Sequence, residues 1–291
     1  MGGRGSCYLN FFNADREVGI ETNFNYEEDE DTKKEYNGKT EKLRNKDIHI
    51  KKSTDDLLEE VFIPNIKKID SLSRKYPIST EILDNTKNKL NIHSTRLEDG
   101  AVACFSSGAY NFGTQKIIFN SNLKKRTKNE IEEITKSNMK CHNWEQVDNK
   151  EMLNYAITHE YGHYIQRILK EEYIKTPEGK SLRDEYINKT IMAKNKTERT
   201  ILANEFDEKF ATRCFKQIQR IHRKEFGKED INMLSKYGIK NGNSEIFAEL
   251  FTHLNNSKNP NTLAQSLKIY LDKQIKVKDK TTQTINLLVD N

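Results

Sequence analysis

The stretch Ala156-Ile-Thr-His-Glu-Tyr-Gly-His-Tyr-Ile165 decides how this chain is read. It contains His159-Glu160-x-x-His163, two histidines four positions apart with a glutamate directly after the first. Four residues make about one helical turn, so both imidazoles leave the same helix face and can reach one ion. Neutral imidazole suits zinc, and two nitrogens leave room for a third protein ligand and a water. Glu160 falls beside such an ion rather than on it, placed to take a proton from that water. Leu153, Ala156, Ile157, Tyr164, Ile165 and Ile168 make the helix apolar over a wide face, so the motif belongs inside the fold. Gly162 costs about 1 kcal/mol relative to Ala in a helix. Its presence predicts a second element packed closely against that turn.

Two histidines hold zinc poorly by themselves, so a further ligand is expected downstream. The candidate segment is Leu234-Ser-Lys-Tyr-Gly-Ile-Lys-Asn-Gly-Asn-Ser-Glu-Ile-Phe-Ala-Glu-Leu-Phe251. In it Glu245 and Glu249 share one side of a helix that is otherwise apolar, through Ile246, Phe247, Ala248, Leu250 and Phe251. Burying two carboxylates on a core-seeking helix is costly unless a positive centre receives them. One would bind the metal, and the other would accept the ring N–H of a ligating histidine. Spacing alone does not order the two.

His-Glu-Tyr-Gly-His followed by Ser-Lys-Tyr-Gly and Ser-Glu-Ile-Phe-Ala-Glu-Leu-Phe resembles the catalytic domain of anthrax lethal factor and its relatives. These are zincins with a glutamate third ligand, and related domains occur in proteins of phage and mobile elements. The resemblance implies that Glu245 binds zinc, with Glu249 in the outer shell. It also implies that Tyr237, a few residues upstream, stabilises the transition state. Ile246 stands where the family has its first Phe, while Phe247 keeps the aromatic pattern. The stretch between His163 and Glu245 is much longer than in lethal factor, so the helices expected there are this chain's own.

Composition bounds the rest. Of 291 residues, 49 are Lys or Arg and 44 Asp or Glu, a formal charge of +5. Apolar residues make up 34%, below the roughly 45–50% of an average globular chain, a figure that also counts Gly. The core is therefore lean. No stretch approaches the roughly 18 apolar residues of a membrane span, and the opening Met-Gly-Gly-Arg-Gly-Ser lacks the apolar run of a secretory signal. The expectation is a cytoplasmic or virion-associated protein with no membrane contact. Cys7, Cys104, Cys141 and Cys214 are widely separated and read as free thiols. Lys216, Arg220, Arg223 and Lys224 form a basic stripe, read as a solvated face rather than a nucleic-acid surface.

The organisation expected is a flexible or peripheral arm over 1–53 and a metallopeptidase domain over 54–291. The arm carries the acidic run Tyr26-Glu-Glu-Asp-Glu-Asp31 and then a basic stretch, with too few large apolar residues to offset its ordering entropy. Ser53 caps a helix over 57–72 that Pro64 kinks, and a second helix runs over 79–90. Strands are expected at 101–105 and 116–120, the latter as the edge that a peptide would augment, with the loop 108–113 shaping the cleft. Helices follow over 124–140, 151–172 and 197–226, the last ended by Gly227. Asn243 or Ser244 caps another to 254, and a final helix spans 263–275. The fold class is α+β, mainly helical: a zincin-like metallopeptidase with a small sheet and one His-Glu-x-x-His helix. His49, His93 and His142 read as exposed, His222 as part of a basic helix face and His253 as an exposed helix end.

The function expected is that of a zinc-dependent endopeptidase acting on a protein or peptide. Zinc on His159, His163 and Glu245 would acidify a water, Glu160 would be its general base, and Tyr237 would share the oxyanion charge. The alternative is a phage or mobile-element structural or morphogenesis protein in which the same zinc site only staples the fold. The presence of Glu160 favours the enzyme, because a structural site has no use for a base.

Overall fold

A computed structural model of the chain describes residues 4–5, 48–50, 67–69, 71–76, 90–95, 97, 103–107, 115–120, 126–227, 234–278 and 282–285. The cap at Ser53, the kink at Pro64, nearly all of the helix read over 79–90, the loop 108–113 and the acidic run of the arm lie outside these residues.

Five short strands form one mixed sheet: β1 (Arg4–Gly5), β2 (Ile48–Ile50), β3 (Leu90–Thr95), β4 (Ala103–Ser107) and β5 (Gln115–Asn120). Their order is β1-β4-β5-β3-β2. β3 runs parallel to both β2 and β5, while β4 is antiparallel to both β5 and β1. Side chains alternate faces along each strand. Ala103, Phe105, Ile117 and Phe119 point into the main core, whereas Cys104 and Ile118 meet Leu97 in a small cluster apart from it.

Two strand readings need correction. The segment 116–120 is not an edge: β5 lies between β3 and β4, so its backbone groups are taken on both sides. The consecutive apolar residues Ile117-Ile118-Phe119 are the mark of a strand buried on both faces, which an edge seldom is. Leu90, expected to end a helix, instead opens β3. In this structure the edge of β4 is covered by β1.

The remainder is mainly helical. α1 (Lys128–Lys140) starts later than expected because Thr127 and Glu130 close a capping box there. A 3-10 turn over Asn149–Asn154 leads into α2 (Tyr155–Tyr173), which carries the histidine motif. α3 (Pro177–Met192) went unread in the sequence, although Thr176 caps it and Pro177 occupies its first turn. α4 (Lys196–Phe226) ends at Gly227, whose φ of 90° suits glycine. The short α5 (Lys236–Asn241) is followed by α6 (Asn243–Asn256) and α7 (Thr262–Gln274). A hairpin of β6 (Ile275–Lys278) and β7 (Thr282–Ile285) comes last.

α2 is the centre of the molecule. β4 packs on one side of it and α6 on another, and α4 and α7 back α6. Almost every α2 residue is buried, including its histidines. A Cβ on Gly162 would lie 3.1 Å from both the Cα of Ala248 and the Cβ of Phe251. This is the close approach its glycine predicted, and the partner is α6. Among the described residues no helix is long and apolar enough to cross a membrane.

Candidate metal centre

One turn of α2 and the first turn of α6 face each other across this contact. His159 Nε2 lies 3.0 Å from Glu245 Oε2, and His163 Nε2 lies 3.3 Å from Glu245 Oε1. The two Nε2 atoms are 3.2 Å apart. Among the described residues, His159, His163 and Glu245 are the only group of three or more potential ligands converging in this way. Tetrahedral bonds of about 2.0–2.2 Å place neighbouring donors roughly 3.3–3.6 Å apart, so the two nitrogens, and each nitrogen with the carboxylate oxygen nearest it, need to open only slightly around a cation. Two imidazole nitrogens and one carboxylate are a donor set that zinc accepts. The residues fit the metal the motif predicted.

The electrostatics agree. Burial works against a charge on Glu245, but the adjacent imidazoles, His163 foremost, outweigh it and hold the carboxyl well below the usual carboxylate range. A deprotonated oxygen is what a cation requires. His159, His163, Glu245 and Glu160 are all buried, with Glu160 fully so.

Around these residues lies a set of supports. Ser244 Oγ donates to Gln166 Oε1 at 2.7 Å and sits 3.5 Å from His163 Nδ1, on the far side of that ring from Glu245. Glu249 lies one turn beyond Glu245. Its Oε2 accepts from the Tyr155 hydroxyl at 2.8 Å and from the Glu145 N–H at 2.9 Å. Its Oε1 and the Nδ1 of His159 are both buried without a hydrogen-bond partner among the described residues. Tyr155 stacks between Trp144, at 4.9 Å, and His159, at 6.3 Å.

Tyr237 comes to the same place from α5. Its ring meets His159 edge-on, 6.2 Å between centroids. α5 is held there by backbone donation from Lys236 to His142 O and from Tyr237 to Asn143 O. If the phenol donates to a developing oxyanion, Tyr237→Phe should lower turnover by about 10²–10³-fold. It should leave zinc content unchanged, which turnover kinetics and metal analysis of the same preparation would check.

Sequence reasoning missed Glu208. From α4 it takes over the N-terminus of α6, accepting from the N–H of Asn243 at 2.7 Å and of Ser244 at 3.3 Å, and from Asn243 Nδ2 at 2.9 Å. The helix begins after Gly242, whose φ of 101° turns the chain so that a Cβ would stand 3.1 Å from the Glu208 carboxylate. The cap expected from Asn243 or Ser244 therefore comes from another helix, which no local pattern reveals. The carboxylate also suits the positive end of the α6 dipole and anchors the turn that bears Glu245.

Three histidine readings are settled by burial. His142 is exposed on a turn, as expected. His222 is not on an exposed basic face; it is buried, with its Nε2 3.0 Å from Thr262 Oγ1. His253 is not an exposed helix end either. It is buried with Nδ1 3.6 Å from Glu145 Oε2, and α6 continues past it to Asn256. Both residues face inward because α4 and α6 are covered along most of their length by α7 and by each other.

Glu145 and His253 are an uncharged couple. Burial pushes the carboxyl up to about 8 and the imidazole down to about 4. An unfolded glutamate titrates near about 4.3. A folded value above this means that the contribution of Glu145 to stability is complete below about pH 4 and is lost as pH rises toward 8. Burial also pushes Glu249 up to about 8, which acts with the same sign. His253, lowered to about 4, acts with the opposite sign up to about pH 6.5, so the melting temperature of the metal-free protein should fall most clearly from about pH 6.5 to pH 8, where the two carboxyls act alone, and Glu145→Gln should flatten that slope.

No protein-family model matches the chain, and comparison with curated proteins and with solved structures finds no match to either.

Proposed function

We propose that this protein is a zinc-dependent endopeptidase of the zincin type, with His159, His163 and Glu245 as metal ligands and Glu160 as the general base. The observation that carries the reading is the convergence of two imidazole nitrogens, 3.2 Å apart, on the carboxylate of Glu245, with one oxygen 3.0 Å from His159 and the other 3.3 Å from His163 and the adjacent glutamate buried on the same turn. When bound, zinc lowers the pKa of a water toward about 7 and polarises a carbonyl. The chain's own residues do the rest. Glu160 takes the proton of the attacking water and returns it to the leaving amine. Tyr237, edge-on to His159, supplies a phenol to the developing oxyanion. Ser244 and Gln166 steady the ring of His163.

A second reading follows from one fact: His159 and Glu160 have no solvent exposure. A site closed in this way would also serve as a non-catalytic staple in a phage or mobile-element structural protein, holding α2 to α6 through the metal. The two readings share the ligands and differ over hydrolysis.

The test is metal analysis of purified protein together with a peptide-cleavage assay. The enzyme reading expects one zinc per chain, loss of cleavage on chelation and recovery when zinc returns. Stoichiometric zinc without cleavage of any member of a diverse peptide library leaves the staple. Cleavage that survives complete removal of metal overturns both.

A further inference from the structure

We propose that Tyr155 is a positioning residue for the metal centre: its hydroxyl sets the Glu249 carboxylate so that Oε1 accepts the Nδ1–H of His159. The inference rests on the reading of His159 as a metal ligand and holds for the enzyme and the staple alike.

Tyr155 precedes His159 by one turn of α2, so the two rings leave the same face of the helix. They lie nearly parallel, 17° apart with 6.3 Å between centroids. Trp144 stacks on the same tyrosine at 4.9 Å and 13°. Buried and held by both neighbours, the phenol has a fixed place for its hydroxyl. That hydroxyl reaches across to α6 and donates to Glu249 Oε2 at 2.8 Å, and the N–H of Glu145 donates to the same oxygen at 2.9 Å. With two donors on one oxygen, the carboxylate cannot exchange its oxygens without breaking both bonds, which is expensive in a buried site. Oε1 is therefore set in one direction, and it has no hydrogen-bond partner among the described residues.

A buried carboxylate oxygen in that state calls for a donor. Among the described residues, the buried ring and amide nitrogens without a hydrogen-bond partner are Nδ1 of His159, His222 and His253 and Nε2 of Gln166. His253 Nδ1 lies 3.6 Å from Glu145 Oε2 and so faces another carboxylate. His222 sits near the far end of α4 and meets Thr262 of α7 through its Nε2. Gln166 sits with Ser244 beside the other ligating histidine. His159 remains, and its imidazole is near enough to Glu249 to oppose the rise that burial imposes on the carboxyl.

The pairing has a use. A carboxylate on Nδ1–H keeps the proton there, leaves Nε2 for the cation and makes the imidazole a stronger donor. The two histidines then differ in their supports: His163 has the neutral hydroxyl of Ser244 near its Nδ1, at 3.5 Å.

The test uses the full-length protein and measures zinc affinity by competition with a chelating indicator. Tyr155→Phe keeps the ring between Trp144 and His159 and removes only the hydroxyl. It should weaken zinc binding about tenfold, the lower end of what loss of an outer-shell partner costs. Glu249→Ala should weaken it at least as much. Adding Tyr155→Phe to that variant should weaken it no further, because the hydroxyl acts through the carboxylate. Tyr270→Phe is the control: it removes another buried hydroxyl, one that donates to Cys214 Sγ at 3.3 Å, and should leave zinc affinity unchanged. Unchanged affinity in Tyr155→Phe, effects that multiply in the double variant, or an equal loss in Tyr270→Phe overturns the proposal.

The ring proton of His159 supplies a readout that needs no metal. In metal-stripped protein carrying isotopically labelled histidine, its Nδ1–H should give a slowly exchanging magnetic-resonance signal, identified by its loss in His159→Gln. The signal should shift in Tyr155→Phe and stay in place in Tyr270→Phe. Its absence from the unaltered protein, or a signal that Tyr155→Phe does not move, overturns the proposal even where Glu249→Ala fails to fold. If the unaltered protein binds no zinc, the metal-centre reading fails, and the ring proton still decides whether Tyr155 and Glu249 position His159.

Discussion

Glu160→Gln is expected to retain its zinc and lose hydrolysis. The substitution keeps the shape of the side chain and removes its capacity to take a proton. The three converging atoms belong to His159, His163 and Glu245, and Glu160 supplies none of them. Metal content and melting temperature should thus match those of the unaltered protein. Turnover should drop by at least the roughly 10²–10⁴-fold attributed to a positioned acid–base group. The fall should be in kcat, with KM little altered, because a glutamine in the same place leaves the binding surface as it was. Full activity in the variant would remove Glu160 from the mechanism, and the enzyme reading would lose its base. Loss of zinc as well as activity would show instead that Glu160 helps to build the site.

The second large effect is at Glu245. Its carboxylate is the only contribution from α6 among the three converging ligands, so Glu245→Ala leaves two histidines on one helix and nothing opposite them. Zinc binding to the unaltered protein should raise its stability by RT ln(1 + [L]/Kd), about 4 kcal/mol at a thousandfold excess over Kd. In the variant that gain should vanish, because the metal no longer joins α2 to α6. Paired thermal melts with and without added zinc would show it. An equal zinc-induced rise in both proteins would mean that Glu245 is not a ligand.

How much of this was legible beforehand follows from the range of the interactions concerned. The helix of His159 and His163 could be read because its period is local, and Gly162 correctly announced a tight neighbour. Glu245 and Glu249 were legible as a pair because two acids on an apolar helix are conspicuous. α4 and its end at Gly227, and the bounds of α7, were likewise within reach of short patterns. What escaped depends on distant partners. Glu208 caps a helix that begins 35 residues later. His253 is buried by its meeting with Glu145, over 100 positions upstream. β5 is central because β3 pairs with it, a strand whose first residue, Leu90, read as the end of a helix. α3 was overlooked because its residues repeat no clear apolar stripe, and among them only Gly179 and Tyr186 are buried.

The bare backbone at Gly162 sets how far apart two rods can stand, and the rods carry the histidines on one side and the glutamate on the other. The distance across the jaw is thus a property of the core's packing, not of any loop. An added methyl would wedge it open and carry the donors beyond the reach of bonds of about 2.0–2.2 Å to a single zinc. Affinity for the cation would then be written at a residue that does not touch it.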